Sequence, residues 1–271
     1  MNKNSFEAEL LHTPFDKEDA YHSLSMPVYN TAAYEFDTAE AMEEAFCGRT
    51  ADHAYSRITN PTVQYFEKRI QTITGALSVT ALNSGMAAIS NIFFTLAQAG
   101  ANIVTSAHLF GNTYSFFKST LAAFGVEVRF CDLTNPEAVR AQVDENTCAV
   151  FLEVITNPQL EVADLKVLSG IAHQIGAPLI ADTTVVPFHI FHANEFGVDI
   201  EIVSSTKYIS GGATSLGGLI LDYGTFDWRN SKKLRSMADQ FGASTFTAKL
   251  RKEIHRNLGA YMTPQVAYMQ T

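Results

Sequence analysis

The chain has 271 residues, of which 46% are hydrophobic and 17% charged, so it can bury one large core or two smaller ones. Its formal net charge of −9 argues against unspecific binding to nucleic acid or anionic membranes, although it leaves room for a local basic phosphate pocket. The three cysteines form no Cys-x-x-Cys pair and no run resembles a signal peptide or a membrane span, so we expect a soluble cytoplasmic protein without disulfides.

The first fifty residues show little sustained periodicity, and we expect an extended arm with one short helix at 38–46. Asn60-Pro61 is a typical helix start, with asparagine as the cap and proline in the first turn. Apolar residues then recur at helical spacing from Val63 to Ile73, and Gly75 is expected to end this helix.

Short β-like runs and helical segments alternate over the rest of the chain. The predicted strands are 78–82, 102–106, 126–130, 148–155, 179–182, 200–204 and 218–222, and the predicted helices are 85–98, 113–124, 136–143, 165–175 and 245–257. This alternation predicts an α/β fold with a largely parallel sheet covered by helices on both faces. Ligands in such folds bind beyond the carboxyl ends of strands, where we expect the Ser84-Gly85-Met86 turn, Asp182 and Lys207.

The most informative motif is the run Ser204-Ser-Thr206-Lys207, which places a lysine directly after three hydroxyl residues. Lysine becomes a useful nucleophile when its site lowers its pKa. With hydroxyls for a phosphate and Asp182 for a pyridinium nitrogen, the run describes a pyridoxal phosphate site. A surface lysine and a helix-capping aspartate are the structural alternatives at these two positions.

Other motifs carry less weight. His189 and His192 lack a carboxylate or cysteine partner at suitable spacing, so no metal site is predicted. Ser56 and Ser84 lack the context of an activated nucleophile, and the glycine pairs form no dinucleotide-binding fingerprint.

These runs, in one consistent order, resemble the Cys/Met-metabolism family of pyridoxal phosphate enzymes over nearly the whole chain. That family includes cystathionine synthases and lyases, methionine γ-lyase and O-acetylhomoserine sulfhydrylase. The resemblance implies the large domain of a fold-type-I, aspartate aminotransferase-like transferase, with a mostly parallel sheet between helices. It divides the chain into an N-terminal arm at 1–55, a cofactor-binding α/β domain at 56–245 and the start of a truncated C-terminal domain at 246–271.

In this family a tyrosine and an arginine clamp the phosphate from a neighbouring subunit. The resemblance places Tyr55 and Arg57 in that role, with Tyr55 also catalytic, and implies a homo-oligomer that is a dimer of dimers. Arginine suits the task because its planar fork donates two hydrogen bonds to phosphate. The alternative for Arg57 is a surface arginine near a helix start.

The resemblance assigns the phosphate loop to Ser84, Gly85 and Met86, because helix-start amides and the helix dipole favour an anion there. Ser204 and Thr206 would add hydroxyls to it.

Lys207 would bond covalently to the cofactor and then move protons at the substrate, while Asp182 would keep the pyridine nitrogen protonated. Asn157 and Glu153 match a segment that contacts the oxygen side of the cofactor ring. Thr183 departs from the family, in which asparagine is common at this position.

Phe110 matches a position where many relatives have a tyrosine that stacks on the cofactor and assists protonation of the leaving group. Phenylalanine keeps the stacking and lacks the proton donor. Acetate leaves as a stable anion, whereas a thiolate benefits from protonation, so Phe110 favours an O-acylated substrate. Tyr55 or Tyr114 could supply a proton instead.

The function that this resemblance implies is γ-substitution on O-acetylhomoserine by sulfide or a thiol, giving homocysteine or methionine and acetate. The enzymatic alternative is elimination of the methionine γ-lyase or cystathionine γ-synthase and lyase type. Relatives continue into a C-terminal domain whose arginine binds the substrate carboxylate, and this sequence ends before such a residue. We therefore expect a fragment of a longer enzyme that is unstable in isolation, with a defective, cofactor-binding subunit as the alternative.

Overall fold

The computed structural model describes residues 5–15 and 21–271. Its seven strands are β1 (Ser78–Leu82), β2 (Asn102–Thr105), β3 (Glu127–Phe130), β4 (Thr147–Glu153), β5 (Leu179–Asp182), β6 (Ile200–Val203) and β7 (Gly218–Asp222). They form one sheet in the order β1-β7-β6-β5-β4-β2-β3. β7 is antiparallel to both of its neighbours, and the other pairs are parallel. The α/β fold predicted from the alternation is confirmed.

The helices lie where most of the periodic segments predict them. The α-helices are α1 (Phe6–His12), α2 (Ala39–Phe46), α3 (Pro61–Thr74), α4 (Gly85–Leu96), α5 (Gly111–Ser115), α6 (Pro136–Arg140), α7 (Leu165–Gln174), α8 (Arg235–Phe241), α9 (Thr245–Lys249), α10 (Arg256–Leu258) and α11 (Pro264–Met269). Turns of π-helix at Phe116–Leu121 and Leu250–His255 continue α5 and α9, and short 3-10 turns occur at Ala122–Phe124, Ala193–Phe196, Trp228–Asn230 and Gly242–Ser244. No helix of the described residues is long and apolar enough to span a bilayer.

Local capping explains why α3 begins and ends as the sequence predicts. The Asn60 side chain accepts hydrogen bonds from the N–H groups of Thr62 at 3.0 Å and Val63 at 3.5 Å. Pro61 occupies the first turn, and Gly75 ends the helix in the left-handed conformation with φ of 70°.

The N-terminal arm departs from the sequence prediction because it contains a second helix, α1. Ser5 caps α1 by accepting a hydrogen bond from the Ala8 N–H, and Phe6 and Leu10 pack partly buried against the core beside α3. Seven residues are too few for periodicity to stand out, so tertiary packing decides this element. Residues 1–4 and 16–20 of the predicted arm lie outside the described residues.

The core has a layer on each face of the sheet, which fixes the orientation of the strands. On one face α4 packs with Phe93 and Ile92 against Phe151 and Ile180. On the other face α7 packs against residues such as Leu179 and Ala181. α3 covers β1 and β7 in a third cluster, and the segment that begins at α9 packs into the first layer through Phe246 and Leu250. Helices on both faces leave the carboxyl edge of the parallel strands open for a ligand.

Candidate active site

A cleft with a cavity volume of about 650 Å³ opens where β4, β5 and β6 end and α4 begins. All the cofactor-site residues predicted from the sequence line it, apart from Tyr55 and Arg57: Ser84, Gly85, Met86, Phe110, Asn157, Asp182, Ser204, Thr206 and Lys207. Parallel pairing explains this convergence, because it brings the ends of neighbouring strands to the same edge. Glu153 is directly opposite Asp182, and Asp182 is opposite Ile202.

The start of α4 provides an anion-binding end of the cleft. The Ser84 hydroxyl accepts the Ala87 N–H at 3.1 Å, and the Ser84 carbonyl accepts the Ala88 N–H at 3.1 Å. The N–H groups of Gly85 and Met86, at the first two helical positions, have no acceptor among the described residues. A Cβ at Gly85 would lie 2.8 Å from the Ser204 Cβ, so only glycine keeps this corner open. These features fit a phosphate group.

The two hydroxyls expected to join this corner differ in their contacts. Ser204 lines the cleft, and its N–H donates to the Thr184 hydroxyl at 2.8 Å. The Thr206 hydroxyl instead bonds to Gly217, donating to its carbonyl at 3.1 Å and accepting its N–H at 3.0 Å. Thr206 can donate to a phosphate only when its proton turns away from the Gly217 oxygen.

Asp182 ends β5 and lies partly buried in the cleft. Its carboxylate accepts the Thr184 N–H at 2.9 Å, and burial raises its pKa. No lysine, arginine or histidine among the described residues forms an ion pair with it. A buried carboxylate without a cation is costly, so the site fits a cationic N–H group such as a protonated ring nitrogen.

Lys207 lines the same cleft and is exposed to solvent. Its backbone N–H donates to the Ser204 carbonyl at 3.1 Å, so the turn that follows β6 fixes its position. Its ammonium group has no hydrogen-bond or ion-pair partner within residues 5–15 and 21–271. The amine is therefore available to a ligand in the cleft.

Glu153 fastens two loops of the cleft together. Its carboxylate accepts the Phe110 N–H at 2.5 Å and the Asn157 N–H at 3.2 Å. Burial raises its pKa to about 7, with Asp182 contributing in the same direction. Phe110 is 48% exposed, so its ring faces the open cleft. The carboxylate thereby sets the position of an aromatic ring that can cover a planar ligand.

Tyr55 and Arg57 lie outside this cleft. The Arg57 guanidinium donates to the Arg256 carbonyl at 2.6 Å and sits 5.4 Å from the centre of the Tyr55 ring. Tyr114 is also absent from the cleft lining, and its hydroxyl bonds to Lys118 at 3.2 Å.

Thr184 and Tyr208 are among the cleft residues that sequence reasoning did not select. Thr184 binds the Asp182 carboxylate through its N–H, which is the pattern of an aspartate that caps the residue two positions on, and this pattern can be recognised in a sequence. Tyr208 lines the cleft beside Lys207 and is 63% exposed. Nothing in its sequence context distinguishes it from a surface tyrosine. Among the described residues no cluster of histidine, cysteine, aspartate or glutamate could hold a metal ion.

Comparison with known proteins adds to this geometry. The model of the family described as Cys/Met metabolism PLP-dependent enzymes matches residues 7–271. A sulfhydrylase from Fusarium oxysporum is 34% identical over 96% of this chain and 63% of its own length. An O-acetyl-L-homoserine sulfhydrylase from Corynebacterium glutamicum is 33% identical over 95% of this chain and 63% of its own length. The chain thus spans about 63% of the length of these relatives.

Solved structures show the same similarity. An O-acetylhomoserine sulfhydrylase from Wolinella succinogenes is 47% identical, with a TM-score of 0.74 over 79% of this chain and 63% of its own. A Campylobacter jejuni structure described as a candidate O-acetylhomoserine (thiol)-lyase is 27% identical, with a TM-score of 0.93 over 99% of this chain and 70% of its own. The latter structure contains a lysine that carries a pyridoxyl phosphate group.

Proposed function

Because the chain belongs to the Cys/Met metabolism family of pyridoxal phosphate-dependent enzymes, we propose that it supplies the cofactor site of an O-acetylhomoserine sulfhydrylase. In that reaction the Cγ–O bond of O-acetylhomoserine breaks, acetate leaves, and a Cγ–S bond forms to sulfide or a thiol. The products are homocysteine or methionine. The observation that carries the proposal is the arrangement of Lys207, Asp182 and the open amides of α4 around one cleft.

The phosphate group of the cofactor is assigned to the start of α4. Gly85 and Met86 would donate their N–H groups to it, and the helix dipole would stabilise its charge. Ser84 and Ser204 would add hydroxyls from the two sides of the same corner. The Thr206 hydroxyl would join them after turning from Gly217.

When bound, pyridoxal phosphate supplies an electron-accepting ring that stabilises negative charge on the substrate carbon beside the amino group. Asp182 would hold a proton at the ring nitrogen, because a buried carboxylate favours a cation next to it. The Phe110 side chain would cover one face of the ring, because Glu153 fixes the Phe110 backbone beside the cleft. Asn157 lies on the other of the two loops that bond to the Glu153 carboxylate, and it would contact the oxygen side of the cofactor ring.

Lys207 is the proposed catalytic base and acid. Its Nζ would hold the cofactor before substrate arrives and would then move protons between the substrate carbons. The lysine that carries the pyridoxyl group in the Campylobacter jejuni structure supports the use of a lysine for this role. Lys207 lines the cleft and is exposed to solvent, so its amine is accessible to an incoming amino acid.

Phe110 favours substitution with loss of acetate over elimination of a thiol. Tyr114 does not replace the missing hydroxyl group, because it does not line the cleft and its own hydroxyl bonds to Lys118. Acetate needs little protonation to leave, whereas a thiolate needs more.

The proposal extends to the assembly. Tyr55 and Arg57 would act in the cleft of a second subunit, since they lie outside their own, and the enzyme would be a cytoplasmic homo-oligomer built as a dimer of dimers. The chain would comprise an arm at 1–55, the cofactor domain at 56–245 and the beginning of a C-terminal domain at 246–271, as a fragment of a longer enzyme.

The proposed function is tested by comparing two reactions of the longer enzyme that contains this chain, loaded with cofactor. O-acetylhomoserine plus sulfide should give homocysteine and acetate faster than methionine gives its thiol and an oxo acid. Lys207→Ala should abolish both reactions, and Lys166→Ala, a change of a lysine outside the cleft, should leave them unaltered. Faster thiol release from methionine would overturn the assignment in favour of a lyase.

A further inference from the structure

Glu201 places a carboxyl group in the middle of the sheet, where burial is expensive. It belongs to β6, is 1% exposed, and lies between the buried apolar residues Ile200 and Ile202. Burying an ionisable group without compensation costs several kcal/mol. None of the roles in the proposed function uses this residue, so its presence calls for another explanation.

Two hydroxyl groups compensate the Glu201 carboxyl group. The Thr183 hydroxyl donates to one carboxyl oxygen and the Tyr223 hydroxyl donates to the other. Tyr223, which follows β7, is the titratable group bonded to Glu201, and Asp182 of the neighbouring strand β5 raises the pKa of Glu201 from the opposite face of the sheet. No lysine, arginine or histidine in the described part of the chain is bonded to it. Burial raises its pKa to about 7 in the cofactor-free chain.

The same contacts connect Glu201 to Asp182 through the sheet. Ala181 is opposite Glu201 and Asp182 is opposite Ile202, so the carboxyl groups of Asp182 and Glu201 lie on opposite faces. Thr183 follows Asp182 directly, and its N–H donates to the Ile202 carbonyl at 2.9 Å while its hydroxyl donates to Glu201. Thr184 holds the Asp182 carboxylate from the cleft side. The turn that carries Asp182 is therefore fixed from both faces.

We propose that Glu201 is a positioning residue for Asp182, acting from behind the sheet. It tethers the turn through the Thr183 hydroxyl, and its negative charge helps to keep the proton on the cofactor's ring nitrogen. This inference rests on the proposed role of Asp182 in the site. It also gives a reason for threonine at position 183, where asparagine is common in the family.

The test uses the chain loaded with pyridoxal phosphate labelled with ¹⁵N in the ring, with the nitrogen resonance followed against pH. Glu201→Gln removes the charge but keeps the side-chain size, and its amide can still bond to both hydroxyls. It should lower the pH midpoint for loss of the ring proton by about one unit. Thr183→Val removes the tether and should weaken cofactor binding about tenfold.

Asp222→Asn is the matched control, because Asp222 is another buried carboxylate of the sheet but lies opposite Ile200, at the far end of β6. It should leave the midpoint at the wild-type value.

The outcomes separate this inference from the proposed function. If the wild-type ring nitrogen carries no proton, or if Asp182→Asn leaves its midpoint unchanged, the proposed role of Asp182 fails. If Asp182→Asn removes the proton while Glu201→Gln matches wild type, only the role of Glu201 is overturned. Should Glu201→Gln fail to fold, Thr183→Val decides, and wild-type cofactor affinity in that variant overturns the tether.

Discussion

Replacing Gly218 with alanine should distort the start of α4, where the phosphate group is proposed to bind. Gly218 begins β7 and packs against the start of α4, where an added Cβ would lie 2.1 Å from the Ser84 carbonyl oxygen and 2.8 Å from the Gly85 nitrogen. Real Cβ contacts stay beyond 3.0 Å, so the two backbones must separate by at least 0.9 Å (3.0 − 2.1). Overpacking of this kind costs about 1–3 kcal/mol of stability.

The displaced peptide group carries the Gly85 N–H, which is proposed to bind phosphate, so cofactor affinity should fall as well. A misplacement near 1 Å reduces the efficiency of a positioned site by up to about a hundredfold, and we expect cofactor affinity to fall roughly 10- to 100-fold. Urea unfolding of the cofactor-free chain gives the stability change, and titration with pyridoxal phosphate, followed by absorbance, gives the affinity.

Gly170→Ala is the control, because a Cβ there meets nothing within 4 Å and α7 should gain about 0.5–1 kcal/mol. Wild-type cofactor affinity in Gly218→Ala would refute the placement of the phosphate against Ser84 and Gly85.

Three further changes test other parts of the account. Phe110→Tyr should raise thiol release from methionine roughly tenfold relative to acetate release from O-acetylhomoserine, because it adds a proton donor at the cleft. An unchanged ratio of the two initial rates would contradict this prediction. Ala213→Gly should raise the free energy of unfolding by about 1 kcal/mol, since alanine is held there at φ of 55°; a thermal melt with no increase would count against strain at this residue. The folded pKa of Glu201, about 7, exceeds its ordinary value of 4.5, so the stability it contributes is complete below pH 4.5 and is lost as the pH rises through 7. The stability of the cofactor-free wild type relative to Glu201→Gln should therefore fall by about 1.4 kcal/mol per pH unit over that interval, and a constant difference in urea unfolding would show that the carboxyl group titrates normally.

Much of the fold can be read from the sequence because its determinants are local. All seven strands were predicted near their observed bounds, and the cap at Asn60 and the left-handed Gly75 delimit α3 as expected. What was missed depends on contacts between distant segments. α8 lies in a polar stretch of the sequence and is stabilised by the buried residues Leu234 and Ala238. The antiparallel direction of β7 follows from its pairing with β1 and β6. Neither is encoded by the spacing of residues within the segment.

The site shows the same division between local and long-range information. Lys207, Asp182 and the start of α4 stand at strand and helix ends, and such positions can be found from periodicity. The bond between Thr206 and Gly217 depends on how a loop returns to the sheet, and sequence reasoning assigned that hydroxyl to phosphate only. In the sequence, Glu201 appears only as a charged residue within an apolar strand. Its role depends on hydroxyl groups from two other segments, those of Thr183 and Tyr223.

The central claim is that Lys207 bonds to pyridoxal phosphate in this cleft, and intact mass after borohydride reduction tests it most directly. Wild type and Lys207→Ala would be mixed with the cofactor, reduced and weighed, with peptide mapping to locate any adduct. The account predicts one cofactor adduct on wild type, located on Lys207, and none on Lys207→Ala. An adduct of equal yield on both chains, or a folded wild-type chain that takes up none, would contradict it.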